Sequence, residues 1–399
     1  MVAKPFTKKE WKRIDRELDR DRKTYGFPER TNGSLLFGSF NIRKLGSVKN
    51  RNLNTWKFLA EICKQYDLLA IQEAQDNLEG LRKLMELLGE EFHLIVSDIT
   101  GVFPGERGVA ERLAFVYRWK VVNRMEVVSD VTYDRTKILD TLGRNILEFT
   151  PIMQKYLKSL EAIDTWESSG REGARPKRAK MKLPAFLAFI RQPFCVSFRV
   201  PSFGEGRPYE FMAVNAHLNF GNFISDRRQA FDALMEWILA RVKQSHRAYY
   251  SDFILLADLN LDFDNPEKDI PRISKHLKTF NNKTGEQVVV NFPFLDAHKG
   301  QPNVFRTTPR QKETYDQIGL FARDKRFPEF SENQRMGSDP DGPDYGMFNF
   351  ADLFSVALTG RELKTLKSSG RGSPRAKFIA RFEHKVSDHM PIWLRLPMP

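Results

Sequence analysis

Residues 35–42 read LLFGSFNI, and residues 253–261 read FILLADLNL. Both are apolar runs of strand length, too continuous for a strand with one solvated face, so each predicts a strand buried on both sides. Both also carry polar groups that a buried strand does not need: Asn41 in the first, Asp258 and Asn260 in the second. The pattern recurs along the chain. DLLAIQE (67–73) ends on Glu73, EFMAVNA (210–216) runs into His217, Asp316 opens DQIGLF (316–321), and Asp388 and His389 precede MPIWLRL (390–396).

The stretches between these runs change period. Trp56, Leu59, Ile62, Cys63 and Tyr66 recur at helical spacing, with Asn54 as the expected N-cap. Leu78, Leu81, Met85 and Leu88 mark a second helix closed by Gly89. HLIVSDIT, RLAFVYR and PFCVSFRV read as further strands. A helix is expected from about Asp226 to Ser245, with Phe231, Leu234, Trp237 and Ile238 on one face. Strands outnumber helices, and the helices fall between them. The fold class expected is α/β, with two packed sheets and helices outside.

Three regions fall outside this alternation. Residues 1–33 are charged throughout and read as a solvated helical arm, leaving 34–399 as the main unit. The segment at about 130–183 reads as an insertion: helix over roughly 136–166, then a loop with Arg171, Arg175, Lys177, Arg178, Lys180 and Lys182 opposed only by Glu172. A second basic loop is expected at about 361–385.

Composition sets outer bounds. With 399 residues and 41% hydrophobic content the chain can bury a sizeable core and is not disordered. Its formal net charge of +13 favours polyanionic partners such as nucleic acid or anionic lipid, without choosing between them. The two cysteines, Cys63 and Cys195, form no disulfide framework and read as reduced core residues, which fits a cytoplasmic protein. The N-terminus lacks the apolar core of a signal peptide, and no segment approaches the roughly 20 apolar residues of a membrane span, so no membrane partner is expected.

Taken singly, an Asn or Asp at a strand end is ordinarily a turn residue. As a set these residues are coherent. Hydrolysis of a phosphodiester needs a hard cation against the phosphate charge, a base for the water and an acid for the leaving oxygen. Glu73 and Asp388 are hard oxygen ligands suited to Mg²⁺. Asn41 and Asn260 can orient phosphate or bound water. His217 and His389 lie beside strand ends with acids nearby, and a carboxylate on the far ring nitrogen would fix each tautomer.

The segments SFNIRKLG, LLAIQEAQD, AERLAFVYR, RQPF, NAHLNF, LADLNLDF, TYDQIGL and VSDHMPIW, in that order, resemble the ordered motifs of the endonuclease/exonuclease/phosphatase superfamily, in its pancreatic-type deoxyribonuclease branch. The resemblance runs from about Leu35 to Leu396. It implies a four-layer α/β/β/α sandwich of two mainly antiparallel sheets and a metal-dependent DNA endonuclease that nicks with low sequence specificity. It implies Glu73, Asn41 and Asp388 at the metal (Mg²⁺, with Mn²⁺ or Ca²⁺ as alternatives) and His217 paired with Glu111. His389 would pair with Asp316, and Asp258 and Asn260 would hold the attacking water or a second metal. Arg191 and Arg43 would lie at the phosphate, with Gln72 in support. Lys177, Arg178 and Lys180 are candidate contacts to the nucleic acid. The His217–Glu111 pair sets the chain apart from the exonuclease III-like branch, which relies on a tyrosine.

The pattern also departs from that branch. Gln75 stands where its arginine enters the minor groove, Val109 stands where its tyrosine stacks on the sugar, and its disulfide is missing. Fold alone does not fix substrate. RNA cleavage, phosphoinositide or other phosphoester hydrolysis, and nucleic-acid binding without cleavage remain alternatives, although the last predicts a lost catalytic residue and none is lost.

Overall fold

The run at 35–42 lies in strand β1 (Ser34–Leu45), which is buried along nearly its whole length. In the computed structural model, which describes residues 4–101, 110–202, 206–218, 224–243, 250–261, 270–276, 278–279, 288–368 and 372–399, β1 is central in a six-stranded sheet. Its companions are β2 (Leu68–Gln75), β3 (Phe92–Val96), β4 (Glu111–Arg118), β11 (Asp344–Met347) and β12 (Ile392–Pro397), in the order β11-β12-β1-β2-β4-β3. The second sheet holds β5 (Asn123–Asp130), β6 (Phe194–Val200), β7 (Tyr209–His217), β8 (Asp252–Asp258), β9 (Val289–Asn291) and β10 (Asp316–Ala322), in the order β5-β6-β7-β8-β10-β9. The two sheets repeat one plan: the central pair, β1/β2 in one and β7/β8 in the other, is parallel, and every other pairing is antiparallel.

Burial on both faces of the central strands follows from the layering. Between the sheets, Phe37 meets Phe211 edge-on at 5.5 Å and Phe115 meets Phe198 at 5.5 Å. Outside the first sheet lie α2 (Leu53–Cys63) and α3 (Glu79–Leu88), and outside the second lies α6 (Ile224–Lys243) with Phe231, Leu234 and Ile238 buried. The four-layer α/β sandwich is therefore present. Gly89 closes α3 at a φ of +87°, a conformation that favours glycine. The cap of α2 is Asn52 rather than Asn54; its Oδ1 accepts from the Thr55 amide at 2.9 Å. Cys63 and Cys195 are buried and unpaired. Among the described residues no helix is long and apolar enough to cross a membrane.

The expected solvated arm is instead part of the core. Helix α1 (Lys8–Arg20) starts with a Thr7/Glu10 capping box and buries Trp11, Ile14 and Leu18. These three positions share one face at helical spacing, and Trp11 packs edge-on against Phe354 of α7 (Phe350–Thr359) at 5.3 Å. The charges occupy the other faces, which is why the segment reads as solvated in sequence. The second basic segment also differs from a loop. It contains a 3₁₀ turn at Leu363–Thr365 and helix α8 (Pro374–Lys385), capped by Ser373 with Pro374 in the first turn and Phe382 buried. Residues 369–371 of that segment and Val109 lie outside the described residues.

The insertion consists of two helices, α4 (Arg135–Arg144) and α5 (Ile146–Ser168), parted at Asn145. Its ends meet: the Val131 amide donates to the Pro193 carbonyl at 2.7 Å, so the excursion leaves β5 and rejoins β6 in one place. Helix α4 buries no residue, and α5 buries only Phe149, Tyr156 and Ile163, one every second turn.

Candidate active site

Strand register assembles the site. β7 and β8 run parallel with His217 opposite Asp258, and β8 and β10 run antiparallel with Asp316 opposite Asp258. Three candidate side chains thus stand side by side at one edge of the second sheet. The first sheet supplies the facing edge. The pairings of β1 with β2 and of β2 with β4 both shift register near Glu73, which adopts a φ of 59°; Lys44 on β1 has a φ of 46°. A bulge of this kind re-aims a side chain, and a non-glycine residue in the left-handed region costs on the order of 1–3 kcal/mol. Here it turns the Glu73 carboxylate into the cleft, where Oε1 accepts from Asn41 Nδ2 at 3.1 Å and Oε2 from the Lys44 amide at 3.0 Å.

Asn41 also joins the sheets. Its Nδ2 donates to Asp258 Oδ2 at 2.8 Å, while Asp258 Oδ1 accepts from the Asn260 amide at 3.0 Å. Asn260, at a φ of 47°, donates its own side-chain amide to the Leu218 carbonyl at 2.9 Å. Two histidine–carboxylate pairs complete the centre. His217 Nδ1 lies 2.8 Å from Glu111 Oε2, and His389 Nδ1 lies 2.8 Å from Asp316 Oδ2. The two outer nitrogens converge: His217 Nε2 is 3.6 Å and His389 Nε2 3.5 Å from the same atom, Asp258 Oδ2. Each pair takes one member from each sheet's side, since Glu111 is on β4 and His389 lies three residues before β12. Ser387 fixes that approach, donating to the Asn41 carbonyl at 2.8 Å and accepting from the Arg43 amide at 3.1 Å.

The charges are coupled. Burial opposes ionisation of Asp258 and Glu73, but the neighbouring histidines, together with the Asn41 amide and nearby backbone amides, outweigh it and hold both carboxyls below their ordinary range. Burial likewise opposes a charge on His389, yet Asp316 and Asp258 outweigh it and hold the imidazole well above its ordinary range. Asp388 moves the other way, raised by burial and by Glu73 beside it. Arg43 reaches Asp388 Oδ2 at 3.2 Å. Behind both lies Arg51, which the sequence reading does not single out. It is buried, donates to the carbonyls of Arg43 and Val386, and burial brings its pKa down to about 10, leaving it charged at neutral pH.

A hard divalent cation fits these residues. Asn41 spends its Nδ2 on two carboxylates, which fixes the amide and leaves Oδ1 buried without a hydrogen-bond partner among the described residues; Asp388 Oδ1 is likewise buried and unpartnered. With the Glu73 carboxylate these are oxygen donors of the kind such ions take. Asp258, Asp316 and His389 also present ligand atoms within 4.8 Å of one another. In that group the Nδ1 of His389 is already committed to Asp316, which marks the pair as an orienting contact.

The cleft over these groups has a volume of about 450 Å³. Arg191 lies on one wall, its guanidinium against Glu111 (Nε to Oε2 2.9 Å, Nη2 to Oε1 3.2 Å) and the Leu218 carbonyl (3.2 Å). Thr308, Arg310, Tyr315 and Glu383 also line the cleft and are not among the site residues expected from sequence. Arg310 pairs with Glu383 at 3.1 Å, and both also line a neighbouring hollow with Lys312 and Arg375. Lys177, Arg178 and Lys180 are not brought to the cleft. Their loop follows α5 and is held to it by the Ala179 amide on Ser159 Oγ at 3.0 Å. Gln72 is buried between the sheets, donating to Asn215 Oδ1 at 2.8 Å and Ser39 Oγ at 3.1 Å. Gln75 does not line the cleft, and its side chain lies against Gly46, where a Cβ would come within 2.6 Å of it.

No family model matches the chain. It is similar to deoxyribonuclease-1 of Gallus gallus, 26% identical over 136 residues, covering 34% of this chain and 46% of that protein. It is 30% identical to deoxyribonuclease-1 of Bos taurus over 106 residues, 25% of this chain and 35% of that one. A deoxyribonuclease of Thioalkalivibrio sp. (strain K90mix) matches at 24% over 241 residues, 59% of this chain and 48% of that protein. The matched segments span between about a third and a half of these relatives' lengths. Among solved structures, an endonuclease/exonuclease/phosphatase family protein from Bacteroides thetaiotaomicron aligns with a TM-score of 0.48 at 13% identity, over 91% of this chain and 94% of that one. The human Nocturnin catalytic domain aligns with a TM-score of 0.46 at 11% identity, over 92% and 96%. With its ordered motifs and its pair of six-stranded sheets, the chain has a deoxyribonuclease-1-like α/β sandwich, and part of its length is similar in sequence to deoxyribonucleases.

Proposed function

We propose that the chain is a metal-dependent phosphodiesterase acting as a DNA endonuclease, nicking with low sequence specificity. The observation that carries the reading is the convergence of two carboxylate-held imidazoles, through their Nε2 atoms, on one oxygen of Asp258. A phosphate between them has an imidazole at the attacking and at the leaving oxygen. One Nε2 accepts the proton of the attacking water and the other donates a proton to the departing oxygen, the two halves of general acid–base catalysis. Glu111 and Asp316 hold the rings in the required orientation. Asp258, seated by Asn41 and Asn260, orients the water, while Arg191 and Arg43 bind the phosphate oxygens. Asn41, Glu73 and Asp388 would hold Mg²⁺, which when bound offsets phosphate charge as a Lewis acid.

The net charge of +13 and the arginines and lysine along the cleft and its neighbouring hollow support a polyanionic substrate. The similarity to deoxyribonucleases favours DNA over RNA. The deciding experiment is nicking of supercoiled plasmid in Mg²⁺, with and without EDTA, by the native chain, His217→Ala and Glu73→Ala. Metal-dependent nicking is expected, with each substitution lowering the rate by about 10²–10⁴-fold. If plasmid, single-stranded DNA and RNA all stay intact with the native chain, the nuclease reading fails and small phosphoesters and phosphoinositides become the substrates to test.

A further inference from the structure

A second cavity, of about 310 Å³, lies beside the catalytic cleft and takes no part in the chemistry above. It is formed where the chain returns from the insertion: Met181, Leu183 and Phe186 face helix α6 across it. Phe186 is braced edge-on by Phe189 at 4.8 Å and by Tyr133 at 5.1 Å, so that wall is packed. At its α6 side stand two polar side chains, Asp226 and Gln229. Arg191 and Leu218 line this cavity as well, and Arg191 is the partition shared with the phosphate cleft.

The partition constrains what fills both spaces. Arg191 is locked onto Glu111 and the Leu218 carbonyl, so the two cavities keep a fixed relation. An occupant of both carries a phosphate directly next to a compact, largely apolar body with hydrogen-bonding groups. A nucleotide unit has that form. The volume lies at the small end of ligand pockets, about 300–1,000 Å³, and suits one heteroaromatic ring system rather than paired acyl chains. Asp226 only accepts hydrogen bonds and Gln229 both donates and accepts, a pattern that matches an exocyclic amine beside an unprotonated ring nitrogen, the Watson–Crick edge of adenine and cytosine.

We propose that this cavity is a nucleobase subsite, receiving the base next to the scissile phosphate and favouring adenine and cytosine over thymine; the proposal rests on the nuclease reading above. A base enters such a cavity only after leaving its stack. That step is least costly in single-stranded or mismatched DNA, so unpaired strands are cut faster than duplex.

The test compares single-stranded oligonucleotides with adenine, cytosine, thymine or an abasic tetrahydrofuran unit at one position, and a strand abasic throughout. Native protein, Ala188→Trp and Gln229→Ala are used. Ala188 is exposed and lines the cavity, so tryptophan there fills it with little threat to folding. Base stacking predicts cleavage of the base-containing strand about five- to a hundredfold faster, in kcat/KM, than of the fully abasic strand. That ratio falls to near one in Ala188→Trp, and the adenine and cytosine preference is lost in Gln229→Ala. A native ratio near one, an unchanged ratio in Ala188→Trp, or preference for an octyl phosphodiester over the base-containing strand overturns the subsite. Equilibrium binding of the same strands in EDTA separates the two readings. If nothing is cut but the base-dependent difference in affinity is present and lost in Ala188→Trp, the nuclease reading fails and the subsite stands; equal affinities remove the subsite.

Discussion

Helix α1 and the α4–α5 hairpin both lie outside the quoted motifs, yet they have opposite fates. α1 sets Trp11, Ile14 and Leu18 into the main core and ties itself to α8 through Glu10 and Arg381, whose Nη1 lies 2.6 Å from Glu10 Oε1. The hairpin, more than twice as long, buries three side chains and leaves Leu147 87% exposed. Charge density predicts the wrong order, since 10 of the 13 residues of α1 are charged against 10 of the 33 in α4 and α5. What separates them is whether apolar residues recur on one face closely enough to form a continuous stripe.

Substitutions test the contrast directly. Trp11→Ala removes an indole from the core and should cost about 3–5 kcal/mol, read as a lower midpoint in chemical unfolding; an effect under about 1 kcal/mol would return α1 to the status of an arm. Glu10→Gln should cost less and should depend on pH. The hydrogen bond from Arg381 is the main cause holding Glu10 down at about 2, against an ordinary value of 4.5. A carboxyl depressed on folding contributes stability that is complete above the unfolded value and is lost as pH falls through the folded one. The Tm difference between native protein and Glu10→Gln should therefore be full at neutral pH and close between about pH 4.5 and pH 2.

On the hairpin side the effects belong to binding. Replacing Lys177, Arg178 and Lys180 with alanine should weaken DNA affinity and flatten its salt dependence, by about 0.9 in the log–log slope for each phosphate that these side chains neutralise in the native complex, without abolishing hydrolysis of a small phosphodiester. An unchanged slope would make this a solvated loop with no part in binding. Leu147→Ala, at the exposed extreme, should shift stability by no more than about 0.5 kcal/mol. A large loss there would mean that the hairpin packs against something beyond this chain.

The candidate site was legible because its residues violate a local rule. Asn41, Glu73, His217, Asp258, Asp316 and His389 are polar groups in or against apolar strands, and strand register then fixes which of them meet. Other residues lining the cleft were not legible. Arg310 and Thr308 lie in RTTPRQKET, which reads as an ordinary charged turn, and only the tertiary path of that loop brings them over the cleft. Arg51 stayed hidden because nothing in its local sequence signals burial. The apolar cavity depends on how two segments meet, which no single window contains. α1 and α8 were misread from average charge, although Trp11, Ile14 and Leu18 had the spacing of a buried stripe.

Four contacts at the candidate site have one end on each sheet: His217 with Glu111, Asp316 with His389, Asn41 with Asp258, and Gln72 with Asn215 beneath them. The centre therefore works as a caliper across the sandwich. A slip of one sheet over the other by a fraction of an ångström would part donors from acceptors while each sheet kept its own ladder intact. Under gentle heating or low denaturant, activity should fade before the circular dichroism of the strands changes, and ligands that clamp the two edges together should delay that loss more than they raise the melting temperature.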